Sequence, residues 1–134
     1  MAFWLVKSDP DSYSWDNLLK DKKTVWDGVR NYQARNNLKL MEKGDKVLVY
    51  ESQNSKYIAG IAEVTKTFFQ DPTTDDENWV AVELTAGKSF RMPVSLDAVK
   101  TTPGLEDIAL IRNSRLSVMP LTPDEFDIII QLSK

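Results

Sequence analysis

The 134-residue chain contains no cysteine and no histidine. Without cysteine, disulfides, thiol catalysis and thiolate zinc sites are excluded. Without histidine, Ser-His-Asp triads, imidazole acid–base chemistry and imidazole-ligated metals go too. There is no GxGxxG and no glycine-rich loop ending in Gly-Lys-Ser/Thr, so dinucleotide redox chemistry and triphosphate hydrolysis have no support. Asp71, Asp75, Asp76 and Glu77 leave a carboxylate-only Mg²⁺ or Ca²⁺ site open in principle. They lack the glycine-centred spacing of an EF-hand, however, and read as a solvated acidic loop. No cofactor and no metal is expected. No run approaches the ~18 apolar residues of a membrane span. The opening MAFWLV reaches Lys7 too soon for the apolar region of a signal peptide. The expected location is therefore the cytoplasm, with the nucleus open in a eukaryote.

What is present describes a soluble globular chain. Hydrophobic residues make up 42%, charged residues 28%, and glycine plus proline only 11 positions. The length predicts one domain, spanning residues 1–134. Net charge is −3 and the pI about 5.0, which argues against indiscriminate adhesion to nucleic acid. The charge is uneven: residues 1–50 carry nine Lys/Arg against seven Asp/Glu, while 51–134 carry eight against thirteen. An anionic partner should therefore meet the face built by the first fifty residues, helped by Arg91, Arg112 or Arg115.

Along the chain, Phe3–Val6 has strand character and Pro10 should end its ladder. Ser14 is a natural N-cap for a short helix through Trp15, Leu18 and Leu19. Val25-Trp26 reads as a short extended piece before a turn at Asp27-Gly28. Strands are predicted at 46–50, 57–69, 79–84 and 89–94, with a loop at 51–56. Ala86-Gly87-Lys88 is read as the turn that pairs the last two strands as a hairpin. Gly60 between two alanines implies a bulge, or close approach of backbone or ligand. Ser95 caps a brief helix, residues 116–120 look strand-like, and Thr122 with Glu125 forms a capping box for the last helix. Strands interleaved with helices, without regular βαβ alternation, predict an α+β small mixed barrel of five or six strands with flanking helices.

The stretch from Thr24 to Met41 departs most from ordinary helix design. Ala34, Leu38 and Met41 recur at i, i+4, i+7 and define a buried stripe. Asn31, Gln33, Asn36 and Asn37 crowd the same helix, although asparagine competes for backbone groups and is a poor helix former. Such rule-breaking often marks a functional site. The plainer reading is an Asn31-capped helix with a polar outer face.

Three motifs carry a resemblance: Trp-Leu-Val-Lys-Ser-Asp-Pro at 4–10, Trp-Asp-Gly-Val-Arg-Asn-Tyr-Gln-Ala-Arg-Asn at 26–36, and Arg-Leu-Ser-Val-Met-Pro-Leu-Thr at 115–122. Together they look like the EVE domain family of the PUA-like superfamily, in the same order and over nearly the whole chain. The resemblance implies a PUA-like barrel related to YTH and ASCH domains, acting as a binding module for a modified base in DNA or RNA. Carried over by motif position, the pocket would draw on Trp4, Lys7, Ser8, Trp26, Arg30, Asn31, Gln33, Ala34 and Asn36. Tyr50, Ser52, Gly60 and Ser117 are further additions, with Lys7, Arg30 and Arg115 as phosphate contacts. The loop at 70–78 is short for the family, whose longer versions carry extra turns there.

The residue chemistry is compatible with that implication. A base reader needs a flat aromatic surface, hydrogen-bonding groups facing the base edge, and nearby cations. Trp26 can supply the surface, or can equally fill the barrel mouth as a core residue. Asn31, Gln33, Asn36 and Ser8 offer donors and acceptors, or serve as caps and turn bonds. The rival class is a hydrolase of the ASCH type, acting on an acylated or otherwise modified nucleoside, with Lys7, Ser8 and Glu63 cast as its catalytic groups. A protein-interaction adaptor is the third possibility. The expected partner is nucleic acid carrying a modified base, with no membrane, and a monomer is favoured.

Overall fold

The computed structural model describes residues 1–9, 11–52 and 55–134. Pro10, and Gln53 and Asn54 of the expected 51–56 loop, lie outside the described residues. Among the described residues six strands form one mixed sheet: β1 (Phe3–Ser8), β2 (Lys23–Trp26), β3 (Lys46–Glu51), β4 (Tyr57–Gln70), β5 (Val80–Ser95) and β6 (Val118–Leu121). Their order is β2-β5-β4-β3-β1-β6. Among the described residues only the β1–β3 pair is parallel, with Leu5 opposite Leu48. All other ladders are antiparallel.

The helices are α1 (Trp15–Asp21), α2 (Tyr32–Leu40), α3 (Leu96–Thr101), α4 (Ala109–Arg112) and α5 (Pro123–Leu132). Ser14, Asn31, Ser95 and Thr122 cap α1, α2, α3 and α5 as their side-chain chemistry predicts, and Thr122 with Glu125 closes the expected capping box. Ala34 and Leu38 of α2 and the following Met41 are buried, so the predicted stripe is the one that packs. Among the described residues β2 and β6 are the sheet's edges. Helix α2 packs against β6 at one edge and against β5, which carries β2, near the other. The barrel is thus completed by a helix rather than by a ladder.

One expectation about the strands is overturned. Residues 79–84 and 89–94 do not make a hairpin; 80–84 and 89–94 belong to the single 16-residue strand β5, and Trp79 lies just before it. Both halves pair with β4, and the register shifts repeatedly between Ile58 and Phe69. Gly87 is a point of close approach within that bent strand, since a Cβ there would stand 2.6 Å from the Ile61 carbonyl oxygen. The real β4–β5 connection is the acidic segment 71–79.

Gly60 is likewise a close-approach position. The register shifts on both sides of it, and a Cβ would fall against the Trp15 ring, 2.7 Å from Cε2, and 2.9 Å from the Lys88 carbonyl oxygen. The buried Trp15 indole lies over this gap and donates to Ser89 Oγ at 2.9 Å. Its backbone N–H is taken by Glu51 at 3.1 Å.

Candidate functional site

The C-terminal end of β1, the 26–31 turn and Ser117 ahead of β6 surround a cavity of about 610 Å³. This is within the usual range for a small-ligand pocket. The fold brings seven of the sequence-derived residues near it. Lys7, Ser8, Trp26, Arg30, Asn31 and Ser117 line it directly, and Ser52 stands behind, donating its N–H and hydroxyl to the Ser8 carbonyl at 2.9 and 3.2 Å.

The other predicted residues are elsewhere, each for an identifiable reason. The Trp4 indole is buried and donates to Asp45 Oδ2 at 2.9 Å, and the same carboxylate receives the Ala2 and Glu42 amides at 3.0 and 2.9 Å. Ala34 is core, and Tyr50 is buried in β3, which pushes its phenol pKa up. Gly60 lies beneath Trp15 and does not line the cavity. Gln33 is exposed outside it. The Asn36 carbonyl accepts from Arg35 Nε and Nη2 at 3.1 and 2.8 Å. Arg115 is exposed beyond the lining, although Ser114 and Ser117 on either side both take part in the site.

The cavity also has walls that the sequence reading did not name. Tyr13 stands edge-on to Trp26, with ring centroids 6.4 Å apart at 83°. Its hydroxyl donates to Asp21 at 2.8 Å. Burial is the main influence on this phenol and raises its pKa. The two rings form a corner of aromatic surface. Asp9, Ser12, Thr24, Val25, Asp27, Gly28 and Val29 complete the lining. Only the fold brings Tyr13 beside Trp26; Asp27, directly after it in the chain, was legible as a neighbour.

The buried Asp71 carboxylate holds the turn that presents Trp26. It accepts from Gly28 N at 2.9 Å, Arg30 Nη1 at 2.9 Å, and Thr73 N and Oγ1 at 2.7 and 2.6 Å. The solvated role expected for the acidic loop therefore fails at its first residue. Burial alone would raise the Asp71 pKa, but the bonds from Thr73, Arg30 and Gly28 prevail and hold it at about 2. Gly28 is in the left-handed region, φ 75°, which favours a residue without a Cβ.

Three further groups set the cavity's chemistry. Burial lowers the Lys7 pKa, and its ammonium donates to the Ser114 carbonyl at 2.8 Å. The Asn31 Oδ1 caps α2 through Ala34 N at 2.9 Å, while no acceptor among the described residues takes its NH₂. Asp27 has a raised pKa, from burial first and the charge of Asp71 second, opposed by its own backbone N–H and by Arg30. Its carboxyl bonds to no other described residue. A free donor and a free acceptor thus share a cavity with an aromatic corner. No cluster of three or more carboxylates suited to a metal occurs among the described residues.

The hydrolase arrangement does not assemble. Glu63 is ion-paired with Lys46 at 2.7 Å and lines a separate groove near Phe3 and Phe126. The Ser8 hydroxyl donates to the Tyr13 carbonyl, so its proton is directed at a backbone acceptor rather than a base.

Comparison with known proteins places the chain in a family. Rat thymocyte nuclear protein 1 is 34% identical over 98% of this chain and 74% of its own length. A crystal structure from Agrobacterium tumefaciens is 38% identical and superposes with a TM-score of 0.96, covering 99% of this chain and 93% of that one. Human THYN1, solved in complex with DNA containing 5-methylcytosine, is 29% identical with a TM-score of 0.92, over 100% of this chain and 98% of that one. An ASCH protein from Zymomonas mobilis, 14% identical with a TM-score of 0.65, shares the fold alone. The α+β barrel is accordingly PUA-like. Residues 2–132 match the EVE domain, and with these relatives the match establishes that the chain belongs to the EVE domain family.

Proposed function

We propose that this protein is a binding module for a modified nucleobase, cytosine or adenine, turned out of a DNA or RNA strand into the cavity beside Trp26. The carrying observation is the juxtaposition of the Trp26–Tyr13 corner with the unengaged Asn31 amide and Asp27 carboxyl. An aromatic surface stacks any base, whereas a donor and an acceptor on one wall select a base edge. Human THYN1, whose structure holds 5-methylcytosine DNA, supports the reading through its close likeness in fold. Because one nucleotide enters a preformed pocket, a chain of net charge −3 needs only local cations to bind. The separation of Glu63 from Lys7 and Ser8 disfavours the hydrolase.

The test is a titration with short single- and double-stranded oligonucleotides carrying 5-methylcytosine, 5-hydroxymethylcytosine or N6-methyladenine. Tryptophan fluorescence follows binding and chromatography follows turnover. Removing a stacking ring costs about 1–3 kcal/mol per base, so Trp26→Ala should weaken binding to the preferred base by about 5- to 150-fold. Trp26 is only 8% exposed, and Trp26→Phe is the companion variant that retains packing and part of the stacking. Undiminished binding by both folded variants would refute the pocket. Product formation abolished by Lys7→Ala would favour the hydrolase.

A further inference from the structure

The outer face of α2 carries cations that the cavity does not use. From the mouth, the Arg30 guanidinium lies 5.5 Å from the Trp79 ring centroid, and Trp79 stacks on Tyr32 at 5.0 Å. Arg35 lies 5.0 Å from the Tyr32 ring, and Lys39 lies 5.8 Å from Phe68. Contacts therefore run unbroken from the cavity to Arg35. Lys39 follows one helical turn later, about 6 Å along the axis, and Lys43 lies just past the helix end.

These cations differ from the others near the site in their charge balance. Arg30 is neutralised by Asp71. Among the described residues Arg35 bonds only to the Asn36 side chain and the Asn78 carbonyl, which are uncharged. Lys39 and Lys43 pair with no carboxylate among the described residues. Tyr32 is 61% exposed and Phe68 47% exposed, so large aromatic rings interrupt this charged face. Cations interleaved with aromatic rings are the surface pattern that follows a nucleic-acid strand. The rings also hold the cations by cation–π contact, which lowers the entropy lost on binding.

We propose that Arg35, Lys39 and Lys43 form a track for the phosphate backbone of the strand that carries the bound base. The track rests on the base-binding reading of the cavity and adds direction to it: the strand leaves the mouth past Arg30 and runs along α2. Asp75, Asp76 and Glu77 precede Asn78, whose carbonyl Arg35 holds at 3.2 Å, so the lysine end is the more cationic part of the track. An acidic protein surface is the competing occupant, and the measurement below separates the two.

The experiment uses the double variant Lys39→Gln/Lys43→Gln. Three probes are titrated between about 50 and 200 mM salt: 5-methylcytidine alone, a short single strand containing 5-methylcytosine, and the same strand unmodified. Each phosphate contact on a single strand contributes about 0.7 to the log–log salt slope, so the double variant should lower the slope by about 1.4 for both strands. Binding of the free nucleoside should remain within about twofold, since neither lysine lines the cavity. An unchanged slope on both strands overturns the track and leaves the pocket standing. Equal losses on nucleoside and strands also overturn it, because the lysines would then act through the cavity. If Trp26→Ala and Trp26→Phe both bind all three probes as the wild type does while the slope of the lysine double variant still falls, the base reading fails and the track survives.

Discussion

The Asp71 carboxylate lies 2.9 Å from the Arg30 guanidinium, and the same oxygen accepts the Gly28 amide at 2.9 Å. One buried charge on the β4–β5 connection therefore fixes the turn that follows Trp26. Its pKa of about 2, against an ordinary 3.8, makes this a stability contribution. The folded state holds the carboxylate more tightly than the unfolded chain does, so the contribution is complete above pH 3.8 and is lost as pH falls towards 2. The shift corresponds to about 2 kcal/mol. Asp71→Asn should lower unfolding free energy in urea by about that amount at pH 7, and the difference from wild type should shrink as the titration is repeated towards pH 2. A constant difference across that range would show that the charge is not responsible.

Asn31 joins two roles that substitution can separate. Its carbonyl caps α2, and its NH₂ is the free donor in the cavity. Aspartate caps as well as asparagine and places a negative charge at a helix N-terminus, where it is favourable. Asn31→Asp should thus melt at or above the wild-type temperature while losing at least tenfold in affinity for the modified strand. Asn31→Ala should lose the same affinity and also about 1 kcal/mol of stability. Parallel calorimetry and fluorescence titration check both, and unchanged binding by the aspartate variant removes Asn31 from the site.

The elements were largely legible because their signals are local. Ser14, Asn31 and Thr122 announce helix starts through bonds only three residues long. What sequence could not show depends on distance. The excess of asparagine in α2 was legible as a departure from helix design, but its reasons are scattered. Asn31 caps, Asn36 serves Arg35, and Asn37 donates to the Val118 carbonyl at 2.7 Å, tying α2 to the β6 edge across 81 positions. Only the first of these faces the cavity. Gly87 looked like a turn because a glycine between two strand-like runs often marks one, yet its task is to let β5 approach Ile61. Asp71 looked solvated because its acidic neighbours are. Its burial follows from the position of Arg30 and Gly28, 41 and 43 residues away.

Asp27 is the group whose stability and binding contributions should oppose each other. Burial and the neighbouring Asp71 raise its pKa, so the folded state disfavours its charged form. The favourable contribution of the protonated form is complete below the unfolded value and is lost as pH rises through the folded one. At pH 7 the charge is therefore a burden, and Asp27→Asn should raise the melting temperature there. The gain should fade as pH falls below the ordinary aspartate value of about 3.9, where both states of the wild type become protonated. Binding should move the other way, because an amide oxygen is a weaker acceptor for a base amino group than a carboxylate. Affinity for strands carrying 5-methylcytosine should fall by about tenfold at pH 7, with the nucleoside and the strand affected equally. A variant that is stabilised yet binds normally would assign Asp27 to the turn alone, and leave the Asn31 amide as the polar reader beside Trp26.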